Sequence, residues 1–136
     1  MLFRSGDSIN NFTEFAFGTD PTLYGPMGNY FISWEDTNND TKAECILTLA
    51  VRGGATFLNL PQPTASKDGV SYKVEGSFSL DDFGQAGSPS LTPLGPWQPT
   101  VGTPEIPGSY EWQRFRMIGS DIGLTRGFFR AIATQQ

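Results

Sequence analysis

The chain has 136 residues, a net charge of −5 and a pI near 4.5, and its acidic balance opposes a phosphate backbone, so nucleic-acid binding is not expected. It contains no histidine, which excludes Ser-His-Asp and Cys-His catalysis, histidine-ligated zinc and a histidine pH switch. No apolar run approaches the length of a membrane span, so membrane insertion is not expected either.

The composition favours a loop-rich β-protein. Glycine occurs 16 times and proline 10 times, while aromatic residues make up 13% of the chain, a balance that suits strands and turns better than a helical bundle. The only cysteine, Cys45, cannot form an internal disulfide, and we expect it to be a small buried hydrophobic residue.

The first predicted element is a short helix over Asp7 to Phe17. Its apolar residues fall on one stripe, with Ile9, Phe12 and Phe15 or Ala16 at helical spacing. Asp7 or Ser8 can cap the first turn, and a glycine follows the last predicted turn.

Six short segments rich in aromatic and β-branched residues follow, each bounded by Gly, Pro, Asn or Asp. In one of them Val70, Tyr72 and Val74 alternate with polar residues, which predicts one face against a core and one face in water. The predicted strands are Tyr30–Trp34, Ile46–Val51, Ala55–Leu60, Val70–Gly76, Tyr110–Ile118 and Gly127–Ala133.

Arg52-Gly53-Gly54, between the second and third of these strands, has the sequence of a hairpin turn, because glycine supplies the positive φ that such turns need. Six strands, one terminal helix and no βαβ spacing predict an all-β fold, an antiparallel, jelly-roll-like β-sandwich with one short N-terminal helix. We expect a single domain in which residues 1–21 pack as a helical segment on a β-sandwich module of residues 22–136.

Two segments interrupt the strand pattern. Glu35 to Glu44 is a polar turn cluster, and Gly84 to Ser109 carries six of the ten prolines with Leu94 and Trp97 as its anchors. A segment as long as the second one, inside a compact domain, is typically either functional or disordered.

Three segments carry a resemblance to a family. Gly6 to Pro21 (GDSINNFTEFAFGTDP) resembles the DxDGDGxxNxxEYAxGTDP signature of large secreted bacterial proteins of Verrucomicrobia and Planctomycetes, which is similar to a thrombospondin type 3 repeat. In that family the signature leads into a β-rich C-terminal module. Val70 to Phe83 resembles that module's Y-x-V-E-x-S-x-x-L-x-x-W run, and Gly127 to Arg130 resembles its closing aromatic-aromatic-Arg strand. The resemblance implies an extracellular or cell-surface location.

The same signature implies a structural calcium site. If Glu14 occupies the last ligand position of such a loop, Asn11 and Asp7 also fall on ligand positions, where their oxygens suit Ca²⁺. Phe3 and Ser5 stand where the pattern expects acids. The alternative is that Asp7 caps the helix and Glu14 is a solvated acid.

Exposed aromatic side chains are the candidate binding groups. β-Sandwich modules of secreted polysaccharide-degrading enzymes stack pyranose rings on Trp or Tyr, while neighbouring polar side chains take the hydroxyls. Trp112 and Tyr72 alternate within predicted strands and are expected in the core. Trp97, in the proline-rich segment, either binds sugar or pins its loop to the domain. The predicted carbohydrate-binding residues are Trp97, Trp34, Tyr24, Tyr30, Glu35 and Asp36.

These observations predict a non-catalytic carbohydrate-binding module of a secreted bacterial enzyme. Its expected partners are a plant-type or algal polysaccharide and the catalytic domain of its parent enzyme. A glycosidase needs only paired carboxylates, but the acids of this chain stand mostly in turn-like contexts, so catalysis is not expected. The alternative is a structural spacer or a C-terminal sorting and anchoring module with no small ligand.

Overall fold

The part of the chain that the structure describes is an all-β sandwich of two antiparallel sheets with one short helix. The computed structural model describes residues 15–18, 30–79, 83, 88–103, 105–119 and 127–136. The antiparallel β-sandwich predicted from the sequence is thereby confirmed. The boundary expected between residues 21 and 22 lies outside the described residues. The strands are β1 (Tyr30–Glu35), β2 (Glu44–Arg52), β3 (Thr64–Lys67), β4 (Val70–Ser77), β5 (Leu91–Trp97), β6 (Tyr110–Met117) and β7 (Phe128–Gln135).

One sheet has the order β1-β2-β6-β5 and the other has the order β3-β4-β7. The core lies between them and is filled by the alternate side chains of the central strands, as the period of two predicts. Its members include Leu47 and Leu49 of β2, Val74 of β4 and Phe115 of β6, and the ring centroid of Phe115 lies 4.8 Å from that of Phe57. Tyr72 is buried in this core, as expected. Trp112 is also buried, but it pairs with Ala50 on the other face of the four-stranded sheet and lies outside the core between the sheets.

Five of the six predicted strands are present, and Ala55–Leu60 is not a strand. Ala55 and Phe57 are buried as in a strand, but Leu58 donates its backbone N–H to Thr64 and Leu60 donates to Leu58, so the segment pairs locally and joins neither sheet. The predicted hairpin is also wrong, because β2 pairs with β1 and β6 instead. The alternation of apolar and polar residues indicates which side chains face the core, but it does not indicate which strands pair with each other.

The proline-rich segment Gly84–Ser109 contains a strand that its composition hides. β5 pairs with β6 at the edge of the four-stranded sheet, where a proline costs no ladder hydrogen bond. The register shifts between Pro93 and Gly95, and Gly95 has a φ of +84°, which a glycine adopts without strain. This irregular edge strand carries Trp97 at its end.

The described part of the predicted helix is residues 15–17, which are helical and end at Gly18 with a φ of +69°. Ala16 and Phe17 are buried in the core, and the ring of Phe17 packs edge-on against Tyr72 at 5.7 Å between centroids. Two tyrosines hold this turn, because the Tyr72 hydroxyl donates to the carbonyl of Ala16 at 2.5 Å and the Tyr110 hydroxyl donates to that of Phe15 at 2.6 Å. Within the described residues, no helix has the length and apolar character needed to cross a membrane.

Removing the Tyr72 hydroxyl is expected to destabilise the fold. This hydroxyl also accepts the backbone N–H of Arg52 at 3.0 Å, and burial raises the pKa of Tyr72 to about 12. Tyr72→Phe leaves a buried donor and a buried acceptor unsatisfied, so the free energy of unfolding in urea should fall by about 1.5 kcal/mol. Tyr110→Phe is the matched control, since its bond to the same turn is exposed and its loss should cost about 0.5 kcal/mol. Equal losses in the two variants would contradict the expectation.

Cys45 is fully buried at the start of β2, which confirms its expected role as a small core residue. Burial raises the pKa of its thiol to about 11, so the reactive thiolate is scarce at neutral pH. Gly127 packs directly against it, because a Cβ built on Gly127 would lie 3.0 Å from the Cys45 Sγ.

Candidate functional site

The outer face of the four-stranded sheet carries the candidate site. Its register places Phe31 and Arg114 on either side of Thr48 in one row, and it sets Trp97 beside Trp112. Paired residues of an antiparallel sheet point to the same side, so these side chains share the face that turns away from the core. The ring centroid of Phe31 lies 5.7 Å from that of Trp97 and 5.6 Å from that of Trp112. The three rings form one aromatic cluster.

Arg114 ties this aromatic cluster to a carboxylate. Its side chain is only 12% exposed, its guanidinium lies 5.4 Å from the centre of the Trp97 ring, and its Nη2 lies 2.7 Å from Oε1 of Glu35. The hydroxyl of Ser33 donates to the other oxygen of Glu35 at 2.5 Å. A cation held against one face of an aromatic ring fixes the ring in place, so Trp97 is presented on a preorganised support.

The charge state of Glu35 follows from these contacts. Burial acts to raise the pKa of Glu35, but the hydrogen bond from Ser33 and the pairing with Arg114 outweigh it, and the pKa lies below its ordinary value. Glu35 is therefore a carboxylate at neutral pH, able to accept hydrogen bonds and unsuited to donate a proton.

Two hollows flank the Trp97 side chain, and we call them together the Trp97 groove. The first has a volume of about 510 Å³ and is lined by Tyr30, Phe31, Glu35, Trp97 and residues 100–103. The second has a volume of about 390 Å³ and is lined by Trp97, Gln98, Pro99, Thr103, Glu105, Ile106, Tyr110, Glu111 and Trp112. Both hollows share Trp97 and Thr103, so they adjoin along the Trp97 ring. Their linings together surround this ring with hydroxyl, amide and carboxylate groups.

Beside this groove, three carboxylates cluster in the polar turn. Ligand oxygens of Asp36, Asp40 and Glu44 lie within 4.8 Å of one another. Asp36 accepts the backbone N–H groups of Asp40 at 3.2 Å and Thr41 at 2.9 Å, while Glu44 is paired with Arg116 at 3.1 Å. These hydrogen bonds and this ion pair hold the polar turn together, and they explain why the three carboxylates lie close to one another. The sequence predicts a polar turn here and a sugar-binding role for Asp36, and the spacing of acids within residues 36–44 could also have indicated the grouping of the three carboxylates.

A second cavity lies between the sheets and has a different character. Its volume is about 250 Å³, and its lining is mainly apolar, with Phe17, Leu47, Leu49 and Phe129 among its residues. Among the described residues of this lining, Arg130 alone is charged, and it is already bound to Glu75 at 2.6 Å. Such a cavity has little to orient a ligand rich in hydroxyl groups, so the Trp97 groove is the stronger candidate site.

Trp97, Tyr30 and Glu35 line the first hollow, but only Trp97 and Glu35 share its face, because Tyr30 pairs with Leu49 and its side chain lies on the opposite face of β1. The structure places Trp34 elsewhere, because Trp34 pairs with Cys45 and therefore shares the core-side face of β1. Asp36 belongs to the polar turn. Tyr24 and the predicted calcium ligands Asp7, Asn11 and Glu14 lie outside the described residues.

The groups that support Trp97 were not predicted from the sequence. Phe31 is predicted from the sequence only as part of a strand, and Arg114 has no predicted role. In the structure Arg114 is paired with Glu35 and lies largely buried beneath Trp97. Only the alternation within β1, which puts Phe31, Ser33 and Glu35 on one side, could have indicated that these three residues act together.

Comparisons with known proteins return no match from any family model, curated protein or solved structure.

Proposed function

We propose that this chain is a non-catalytic carbohydrate-binding module that holds a polysaccharide in the Trp97 groove. The observation that carries the proposal is the arrangement of Trp97, which lies over the paired Arg114 and between two hollows lined by polar side chains. An aromatic ring held in this way offers apolar area to the face of a pyranose ring at little entropic cost.

The polar lining complements the equatorial hydroxyls of a sugar. Glu35 accepts hydrogen bonds, whereas the hydroxyls of Thr100 and Thr103 donate or accept them. A few convergent polar groups around an apolar platform are typical of sites that orient a small ring. This lining supports a sugar better than an apolar ligand.

The lowered pKa of Glu35 supports a binding role over a catalytic one. Glycoside hydrolysis needs one carboxylic acid that stays protonated near neutral pH, which requires a raised pKa. Glu35 has the opposite shift because Ser33 and Arg114 stabilise its charged form. The Glu35 carboxylate, which lines the first hollow, therefore suits hydrogen bonding to hydroxyls.

We also propose where this module acts and to which kind of protein it is attached. The resemblance of Gly6–Pro21 to secreted bacterial proteins supports an extracellular or cell-surface location and attachment to the catalytic domain of a polysaccharide-degrading enzyme. It also supports a structural Ca²⁺ at Asp7, Asn11 and Glu14. Measuring polysaccharide retention with calcium and with a chelator tests whether this segment contributes to binding.

Trp97→Ala is the direct test of the proposal. In affinity electrophoresis against cellulose, xylan, mannan, chitin and β-glucan preparations, the unmodified chain should be retained by at least one polymer. Loss of the Trp97 ring should weaken that retention at least about tenfold. The melting temperature should change by only a few degrees, because Trp97 lies at the end of an edge strand.

Trp34→Ala is the matched control. It removes another partly exposed tryptophan, but one on the opposite face of β1, so retention should be unchanged. Equal weakening by both substitutions would contradict the assignment of the groove.

One observation favours the structural or sorting module as the second candidate. On the core-side face of β1, Tyr30, Ile32 and Trp34 are 46%, 45% and 38% exposed. A row of exposed apolar side chains is typical of an interaction surface. If the whole polymer panel retains nothing, this second function becomes the better reading of the chain.

A further inference from the structure

We propose that the Trp97 groove selects uncharged glycans and rejects polymers that carry carboxylate or sulfate groups. This inference rests on the proposed function and narrows its ligand from polysaccharides in general to neutral ones. It follows from the charges of the groove and of the arginines beneath it.

The charged groups that line the groove are acidic. Glu35 lines the first hollow, and Glu105 and Glu111 line the second. Among the described residues that line either hollow, none is a lysine or an arginine. An anionic sugar in the groove would therefore meet carboxylates at short range without a lining cation to compensate them.

The two arginines on the same sheet face are already engaged. Arg114 is bound to Glu35, and Arg116 is bound to Glu44 at 3.1 Å and lies within 3.4 Å of the Thr37 hydroxyl. Recruiting either guanidinium for a ligand carboxylate would release a protein carboxylate from its partner. The exchange would gain no net ion pair, so these arginines do not form an anion site.

A neutral glycan meets no such penalty. Its hydroxyls can donate to Glu35 and Glu105, and hydrogen bonds to a charged acceptor are stronger than those between neutral groups. Gly54 and Gln113 donate to Oε1 of Glu111 at 3.0 and 2.8 Å, so Glu111 also has a structural role. Glu105 is exposed and is therefore the better residue to vary.

The test compares two polymers with one backbone, hydroxyethylcellulose and carboxymethylcellulose, together with the neutral and carboxymethylated forms of any other glycan that the chain retains. At about 20 mM salt the neutral form should bind at least about tenfold more tightly, and the difference should shrink near 0.5 M salt, where the Debye length falls to about 4 Å. Glu105→Gln should raise relative binding of the carboxymethylated form about twofold to threefold. Gln136→Lys makes the same change in net charge at the chain end beside the other sheet and should leave the ratio unchanged.

The outcomes separate this inference from the function on which it rests. Equal or tighter binding of the carboxymethylated form, or an equal effect of Glu105→Gln and Gln136→Lys, would overturn charge selection by the groove while leaving carbohydrate binding in place. Binding to no polymer of either form and to no member of the wider panel would overturn both.

Discussion

Arg130→Met is expected to lower the free energy of unfolding by about 3 kcal/mol, because it leaves a buried carboxylate without its main partner. The carboxylate is that of Glu75, whose side chain is only 3% exposed. Arg130 donates to its Oε1 from Nε at 2.9 Å and from Nη2 at 2.6 Å, across the β4 and β7 pairing. The guanidinium also lies 5.0 Å from the centre of the Phe83 ring.

Urea unfolding of the variants in a double-mutant cycle measures the coupling free energy between Glu75 and Arg130. Glu75→Gln combined with Arg130→Met removes the buried charge together with its partner, so it should recover most of the stability that the single Arg130→Met variant loses. Lys73→Ala is the control, because its exposed ammonium lies 3.9 Å from Glu75 and should contribute no more than about 0.5 kcal/mol. If Arg130→Met costs no more than Lys73→Ala, water screens the Glu75 carboxylate and the expectation fails.

The same pair shows what the sequence could indicate about these segments. Glu75, Phe83 and Arg130 belong to the two later segments on which the family resemblance was drawn. Arg130 contacts both Glu75 and Phe83, although it is distant from both in the chain. The motif residues therefore have a structural role in this fold, and their presence alone does not reveal a binding function.

Strand positions could be predicted where the side chains alternate in polarity. Val70, Tyr72 and Val74 alternate with polar residues in β4, and the pattern matches their burial. β3 was missed because Thr64–Lys67 is only four residues long, and β5 was missed because its prolines are unfavourable in all but edge strands. Pairing order could not be predicted, since alternation is the same for any partner strand.

The site could be predicted only in part for the same reason. Trp97 and Glu35 stood out because each lies in or next to a loop. Their connection runs through Arg114, which reaches both of them only in the register that aligns β1, β2, β6 and β5. Three-dimensional pairing created the site, so residue type and local spacing could not reveal its supporting groups.

The Glu35–Arg114 pair links the stability of the fold to the binding site. Arg114 is largely buried, whereas Glu35 is partly exposed, so the arginine depends on this carboxylate more than the carboxylate depends on the arginine. Glu35→Ala is expected to lower the free energy of unfolding by about 2 kcal/mol, the range measured for lost hydrogen bonds to charged groups. It should also weaken polysaccharide retention, because the guanidinium that supports the Trp97 ring loses its anchor.

Acid should reduce the stability that the Glu35–Arg114 pair contributes to the fold. The pKa of Glu35 is lowered in the folded chain, so its contribution to stability is present above the ordinary value of 4.5 and is lost as the pH falls through the lower folded pKa. As the pH falls from 4.5 to the lower folded pKa of Glu35, the wild-type chain should therefore lose stability more steeply than Glu35→Gln, which cannot titrate. Parallel pH profiles of the two proteins in urea unfolding would contradict the pairing.

A final comparison separates folding from binding at this pair. Arg114→Met combined with Glu35→Ala removes the buried cation along with its partner, and methionine keeps an apolar stem beneath the Trp97 ring. The double variant should regain most of the stability lost in Glu35→Ala, yet its polysaccharide retention should stay weak because the groove lacks its carboxylate. Recovery of retention together with stability would show that Glu35 serves the fold alone and makes no contact with the glycan.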